Sequence, residues 1–366
     1  MKIKTFCDEH ITTYKIAMNN LNIMLDFNGK YMSKEDINNI DIIFLTHEHL
    51  DHCMSLLNYD LVKHLKKDVK IFSTETTKLL ISHIFEKYMT KNGYNKEPYE
   101  YITNLVKNIN ICRFKKTFIF KGLNITLFRS GHTFGSSMVY IKSKDYSLLY
   151  TGDIDYVEND ENRMYDLPYG IDIDYVIADG TNLFDKDYKG VTINRVRDFI
   201  NRRKPGDIVK YFAKGEKAVL YALTLANKLN NAIYFYTEYM RWYVELLYKQ
   251  GYNIFVPNKI FFDNQFQDPK ILNNNVHVKF TSDSTKYNID YQLSLHITKS
   301  NFIKMIEEHF NYRPKKIFIG HYDKSKLNEL LIDNSNDKLE SNNEIRLDYE
   351  LGLENVILLK TGENDG

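Results

Sequence analysis

The stretch "FLTHEHLDHC" (Phe44–Cys53) packs three histidines and two acidic residues into ten positions, starting at the end of the apolar run "DIIFL" (41–45). A lone histidine is ordinary, either satisfied in a core or solvated on a surface. The order H-E-H-L-D-H at the end of a strand is different. Imidazoles and carboxylates are the donors that zinc, manganese and iron take, and strand-end loops are where a scaffold gathers distant residues onto a ligand. The spacing predicts a metal site.

Polar groups recur at later strand ends: His132 in "SGHTFGSS", Asp153 in "YTGDID" and His321 in "FIGHYD". Taken singly, His132 reads equally well as a core or surface residue, and Asp153 as an ordinary Gly-Asp turn. Taken together they suggest more than one ion, because an aspartate has two oxygens and can bridge two cations. A two-metal site, with ions roughly 3.5 to 4 Å apart, holds a hydroxide between them and clamps a phosphoryl or carbonyl oxygen.

The whole chain narrows the field. Its 366 residues, 43% hydrophobic and 14% aromatic, suffice for one large core or two domains and exclude a disordered tail. The formal charge is +1, from 49 basic and 48 acidic side chains, so any grip on nucleic acid must come from a local patch. Cys7, Cys53 and Cys112 are too scattered for a disulfide framework and fit a reducing compartment. The opening residues carry no apolar signal segment, and no run approaches bilayer length. These features predict a soluble cytoplasmic protein without membrane association.

Short strands are expected in "MKIKTF", "TTYKIAM", "LNIMLDFNG", "DIIFL" and "VKIFS", with a helix over 52–66 and helical character over 74–109 broken at "NGYN". Strands return in "TFIFKG", "NITLFRS", "SSMVYIKS", "YSLLYTG" and "IDYVIAD". This spacing suits an α/β fold of two mixed sheets with helices outside. Near residue 182 the rhythm becomes a strand–helix–strand alternation of the parallel type, and the polar segment "DNQFQDPKILNNN" marks a boundary.

"THEHLDH" resembles the H-x-H-x-D-H signature of the metallo-β-lactamase fold, and the other landmarks follow in that family's order, from Asp26 in "LDFNG" to His321. The resemblance implies an αββα sandwich. It implies that His47, His49 and His132 hold a first metal, that Asp51, His52 and His321 hold a second, and that Asp153 bridges them. The implied cofactor is two zinc ions per chain, with manganese admissible. In a single-metal version, Asp51 would act as base on the water. Gly131 and Gly152 are expected to let backbone pass close to the ions.

Three later segments resemble the β-CASP nucleases, the group of ribonuclease J-type enzymes and mRNA 3′-end-processing endonucleases. "DIDYVIADGTN" resembles the segment in which a strand ends in an acid, which assigns Asp179, although Gly180 and Asn182 depart from the usual Glu-Ser-Thr-Tyr-Gly. "YQLSLHITKSNFIKMIEEHFNYRPKKIFIGH" resembles the Ser-x-His, helix, Pro-Lys, strand and Gly-His series, which assigns His296 and His321. "KPGDIVKYFAKGEKAVLYALTLANKL" resembles part of the inserted domain, here shortened, with Glu216 where relatives carry Gly-Arg. The implied organisation is a metallo-β-lactamase domain in two parts, 1–182 and 276–366, interrupted by a small α/β insert over 183–275.

The resemblance implies a dinuclear metal-dependent phosphodiester hydrolase, a ribonuclease acting on single-stranded RNA, with His321 at the third motif favouring RNA over DNA. Asp51, Asp153, Asp179 and His296 are the expected catalytic residues. His296 would give a proton to the leaving oxygen, oriented and kept in its proton-bearing form by Asp179. Arg202, Arg203, Lys204 and Lys214 are candidate phosphate contacts in a cleft between the domains. Phe134, beside His132, is a candidate for stacking on a base or for core packing. The alternatives are a DNA nuclease, a small-nucleotide phosphodiesterase, and a catalytically weak metal-binding scaffold subunit of a processing complex. Protein partners stay open, a homodimer among them.

Overall fold

A computed structural model describes residues 2–6, 12–29, 32–156, 165–166, 168, 170–185, 193–212, 232–236, 238–249, 260–262, 275–281, 291–292, 296–310, 313–323, 325–327, 355–359 and 362–365. Contacts divide the chain into two units. One comprises Met1–Tyr156, Met164–Tyr188 and His296–Gly366, and the other Lys189–Leu295 with Val157–Arg163.

Two sheets build the first unit. In chain order the strands are β1 (Lys2–Thr5), β2 (Tyr14–Met18), β3 (Leu21–Leu25), β4 (Ile42–Phe44), β5 (Lys70–Ser73), β6 (Asn110–Ile111), β7 (Phe118–Phe120), β8 (Leu123–Arg129), β9 (Ser137–Lys142), β10 (Ser147–Tyr150) and β11 (Tyr175–Asp179). β12 (Ile208–Phe212), β13 (Ala232–Tyr236), β14 (Ile260–Phe262), β15 (Val276–Thr281) and β16 (Tyr291–Gln292) follow, then β17 (Lys316–Gly320), β18 (Val356–Leu358) and β19 (Gly362–Asp365). The first sheet has the order β19-β1-β2-β3-β4-β5-β6 and the second β18-β17-β11-β10-β9-β8-β7.

Strand periodicity explains the layering. Successive side chains face opposite ways, and here both faces of the sheets are apolar. From β9, Val139 and Ile141 join Ile16, Ile23 and Phe44 in the core between the sheets. Met138 and Tyr140 face the other way, into a second cluster with Phe302, Met305 and Ile306 of the helix Lys299–His309. From β4, Ile42 and Phe44 enter the inter-sheet core, while Ile43 packs with Ile81 and Phe85 of the helix Glu75–Lys91 and Ile102 and Val106 of Lys96–Lys107. Each such fully buried side chain contributes about 1.5 to 3 kcal/mol. The result is the expected αββα sandwich.

The same topology gathers the strand ends. β10, β11 and β17 run parallel, and β8 runs with them because β9 is antiparallel to both β8 and β10. Their C-terminal ends therefore share one rim, and the segments carrying His132, Asp153, Asp179 and His321 leave from it. β3, β4 and β5 are likewise parallel, and the histidine-rich segment leaves β4.

Two expectations are corrected. The helix over 52–66 is broken into Leu50–Cys53, a 3-10 turn Met54–Leu57 and Tyr59–Val62. The break is local chemistry: the Asn58 side chain accepts from the Leu61 amide and starts a new helix. The return to the first unit comes at His296, not 276, because β15 belongs to the second unit. That unit's sheet is parallel, in the order β14-β13-β15-β12-β16, with β15 at its centre and Val276 and Val278 buried. The polar run before it thus leads into a central strand. At the other border, Leu183 and Phe184 are buried with Ile297 and Phe302 in the first unit. Among the described residues, no helix is long and apolar enough to cross a membrane.

Candidate dinuclear metal site

His47 and Glu48 follow β4 fully buried, His49 caps the short helix Leu50–Cys53, and Asp51 and His52 sit on that helix. Glycines shape the turns that bring the other residues in. Gly131 and Gly152 have φ of +80° and +52°, and a Cβ on them would lie 2.6 Å from the Asp155 carbonyl oxygen and 2.8 Å from the Thr46 Cβ. Left-handed backbone packed against protein, rather than close passage to ions, is what demands glycine here. Asp26 and His321 take left-handed φ of +58° and +48° without being glycine, and such strain concentrates at functional sites.

The seven expected ligands come together. Donor atoms of His47, His49, His132 and Asp153 lie within 4.8 Å of one another, and so do those of Asp51, His52 and His321. Asp153 stands between the two groups. Its Oδ2 is 3.4 Å from His132 Nε2 and 3.7 Å from His47 Nε2. Its Oδ1 is 3.1 Å from His52 Nε2 and 2.8 Å from His321 Nδ1. One oxygen faces each group, the disposition a bridging carboxylate needs.

The donors fit cations on independent grounds. His47 Nε2 is buried without a hydrogen-bond partner among the described residues, and an enclosed imidazole nitrogen is costly unless something takes its lone pair. Burial, reinforced by neighbouring His52, holds the His47 pKa well below its usual value, so the ring is neutral and ready to ligate. Burial opposes ionisation of Asp153, but His52, His321, His296 and His132 outweigh it and hold the carboxyl well below the carboxylate range. Burial likewise opposes charge on His52, and the carboxylates of Asp153 and Asp26 more than offset it, raising its pKa well above the usual imidazole value. The pocket is electrostatically built for positive charge.

Asp26 also clusters with His47 and His52, yet its oxygens are committed elsewhere. It accepts from the Thr46 amide, the Thr46 hydroxyl and Tyr150 Oη, each at 2.7 Å, and pairs with His52 Nδ1 at 2.7 Å. It orients His52 so that Nε2 faces Asp153 Oδ1 at 3.1 Å, with Thr12 Oγ1 also 3.0 Å from that nitrogen, the kind of carboxylate support a metal-ligating imidazole usually has. The sequence flagged Asp26 only as a landmark and missed Thr46 and Tyr150. The available signal was alternation, which puts Tyr150 on the inter-sheet face with Leu148 and Phe44. Asp26→Ala strands several buried donors at once. We expect a loss on the order of 3 kcal/mol in denaturant unfolding, with metal binding weakened more at the His52 group than at the His47 group in a zinc titration.

Asp179 and His296 meet as expected: His296 Nδ1 lies 2.7 Å from Asp179 Oδ2 and 3.8 Å from Asp153 Oδ2. The carboxylate is buried and held by the Ile154 amide at 3.2 Å, the Thr181 amide at 2.9 Å and the Thr181 hydroxyl at 2.6 Å. Thr298 caps the helix after His296 by accepting from the Asn301 amide at 3.2 Å. Gly180 is also explained, since a Cβ there would lie 2.5 Å from the Ile319 side chain and 2.7 Å from the Gly320 carbonyl oxygen.

The substrate candidates fare differently. Phe134 is only 4% exposed, so stacking on a base is corrected to core packing. Its turn is pulled inward, with the Gly135 carbonyl accepting from the Thr74 and Thr77 hydroxyls at 2.7 and 3.0 Å. Arg202, Arg203 and Lys204 are exposed in the second unit, after the helix Ile193–Asn201. Arg202 Nε donates to the Asp198 carbonyl at 3.0 Å, and the Arg203 guanidinium lies 3.9 Å over the Phe199 ring. Lys214 lies outside the described residues. Glu48, which no reading singled out, is buried and accepts from the Thr133 hydroxyl at 3.1 Å, tying the His47–His49 loop to the His132 turn.

Comparison with known proteins agrees with this geometry. The Metallo-beta-lactamase superfamily model matches residues 25–202. The chain is 24% identical over 131 residues to cleavage and polyadenylation specificity factor subunit 3 of Dictyostelium discoideum, covering 34% of this chain and 17% of that protein. It is 23% identical over 133 residues to endoribonuclease ysh1 of Schizosaccharomyces pombe, covering 35% and 17%. An Integrator complex subunit 11 homolog of Dictyostelium discoideum is 30% identical over 160 residues, covering 38% and 21%. In each case the shared segment is under a quarter of the relative's length. A protein of unknown function from Enterococcus faecalis V583 superposes with a TM-score of 0.56 at 10% identity, over 89% of this chain and 94% of that one. The two-sheet fold and the match over residues 25–202, just under half of the chain, agree with a metallo-β-lactamase superfamily fold, and over about a third of its length the chain is similar to these three proteins.

Proposed function

We propose that this chain is a dinuclear metal-dependent phosphodiester hydrolase that cuts single-stranded RNA. The observation that carries the reading is the Asp179–His296 pair, 2.7 Å apart, set 3.8 Å from the carboxylate between the two ligand groups. A thioester's thiolate departs without a proton, whereas a departing ribose oxygen needs one. The RNA preference leans on the relatives, one of which is named an endoribonuclease.

Two bound cations would supply an ionised water near neutral pH and positive charge for the phosphoryl oxygens. His47, His49 and His132 would hold one and Asp51, His52 and His321 the other, with Asp153 between. The chain's own residues do the rest. Asp179 engages Nδ1 of His296, which leaves Nε2 as the atom that can present a proton to the leaving 3′-oxygen. Asp26 fixes His52 by the same device. Retention of every ligand argues against the scaffold reading.

Zinc is the ion we assign, from a donor set dominated by imidazole with carboxylate. Elemental analysis of protein purified without chelator should return two ions per chain. Chelation should abolish turnover and lower the thermal midpoint, and zinc or manganese should restore both. A yield well under one ion after reconstitution would overturn the assignment. The substrate is tested on labelled single-stranded RNA, single-stranded DNA and a cyclic dinucleotide, with and without metal. Cleavage of RNA at least tenfold faster than DNA is the expected result, and preference for either other substrate would refute the RNA reading.

A further inference from the structure

Next to the metal loop lies a cavity of about 830 Å³ that the ligand set does not use. That is within the usual size of small-ligand pockets. The chain joins the two directly. The Asn28 side chain donates to the Asp51 carbonyl at 3.0 Å, the Phe27 amide to the His52 carbonyl at 2.7 Å, and the Gly29 amide to Ser55 Oγ at 3.0 Å. Asn28, Gly29, Met54 and Ser55 line the cavity, so its wall begins within one helical turn of Asp51 and His52.

The lining is aromatic and amide-rich. Tyr59, Tyr88 and Tyr94 contribute half-buried rings, and Asn58, Asn92 and Asn95 contribute exposed amides. Tyr94 is anchored through its hydroxyl to the Leu57 carbonyl at 3.1 Å, and Tyr88 meets it edge-on at 6.3 Å between centroids. Asn95 occupies the N-cap of the helix Lys96–Lys107 but makes no side-chain capping bond, which leaves its amide open to a ligand. No lysine or arginine lines the cavity among the described residues, and its one carboxylate, Asp60, is paired with Lys63. Such a pocket selects a flat, uncharged ring with donors and acceptors on its edge, not a phosphate.

We propose that this cavity binds a nucleobase of the strand being cut, beside the scissile phosphate, by stacking on Tyr88 and by edge contacts to Asn95. The subsite rests on the phosphodiesterase reading. Sequence-tolerant stacking of this kind is common in single-strand recognition, and asparagine amides match base edges.

Adenosine is the probe, because it offers a base without a phosphate for the metals. Wild-type protein should bind it saturably, and Tyr88→Ala and Asn95→Ala should each weaken binding at least about fivefold while Tyr88→Phe keeps it. On a labelled RNA oligomer the two alanine variants should lower kcat/KM by a similar factor. With wild-type protein, one abasic nucleotide walked along the oligomer should give a comparable loss at a single position near the cut. Folding of the variants is checked by circular dichroism, and the abasic series needs no variant. Adenosine binding that ignores Tyr88, or cleavage indifferent to every abasic position, would overturn the subsite while leaving the hydrolase reading intact. Tyr88-dependent adenosine binding with no cleavage of any strand would support the base site and refute the hydrolase.

Discussion

Replacing His296 by alanine should slow cleavage of RNA by about 10²- to 10⁴-fold while both metals stay bound. The expectation follows from position. His296 is half-buried and its Nδ1 is engaged by Asp179 at 2.7 Å, so on the proposed reading Nε2 is the ring nitrogen that would give the proton. An alkoxide is a poor leaving group, so the proton matters most when the departing oxygen is an unactivated ribose hydroxyl. A nitrophenyl phosphodiester departs without help, and on that substrate the same variant should lose much less. Asp179→Asn should follow the same pattern less severely, since it leaves the imidazole but alters how Nδ1 is held. Equal losses on both substrates, with metal content unchanged, would make His296 a substrate-binding or supporting residue. Loss of a metal would make it a ligand and reopen the role given to His321.

The ligand set was legible because metal chemistry restricts residue type and because strands deliver their loops to one rim. The run from His47 to His52 announces itself within six consecutive residues, and His132, Asp153 and His321 each follow an apolar strand. The layers were legible for the same reason: Met138 and Val139 face opposite ways whatever the rest of the chain does. What stayed hidden depends on distant contacts. Phe134 beside a ligand looks available for stacking, and only the packing of its turn on the Thr74–Thr77 segment removes it. The border near 275 failed because a polar run before a central parallel strand reads like a linker. The helix over 52–66 failed because Asn58 caps a new helix inside an otherwise continuous pattern. The partners of Asp26 come from the loop after β4, the short helix Leu50–Cys53 and β10, and nothing in the order of residues pairs Tyr150 with it.

Asp153→Ala should be the most damaging single substitution, removing bound metal from both groups and taking turnover with it. The carboxylate is only 2% exposed and offers one oxygen to His132 and His47 and the other to His52 and His321. On the dinuclear reading, alanine would delete a ligand from each ion and a buried carboxylate that stands between the two donor groups. Residues that act behind a ligand typically cost 10- to 100-fold in metal affinity or activity, and loss of a shared ligand should exceed that range. His321→Ala serves as the comparison, because it removes a donor from one group only. It should leave about one ion per chain, where Asp153→Ala leaves less. Metal content by elemental analysis, with circular dichroism to verify folding, separates the two variants without any activity assay. If Asp153→Ala instead keeps two ions, or loses one as His321→Ala does, the carboxylate does not bridge, and two separate mononuclear sites replace the dinuclear centre.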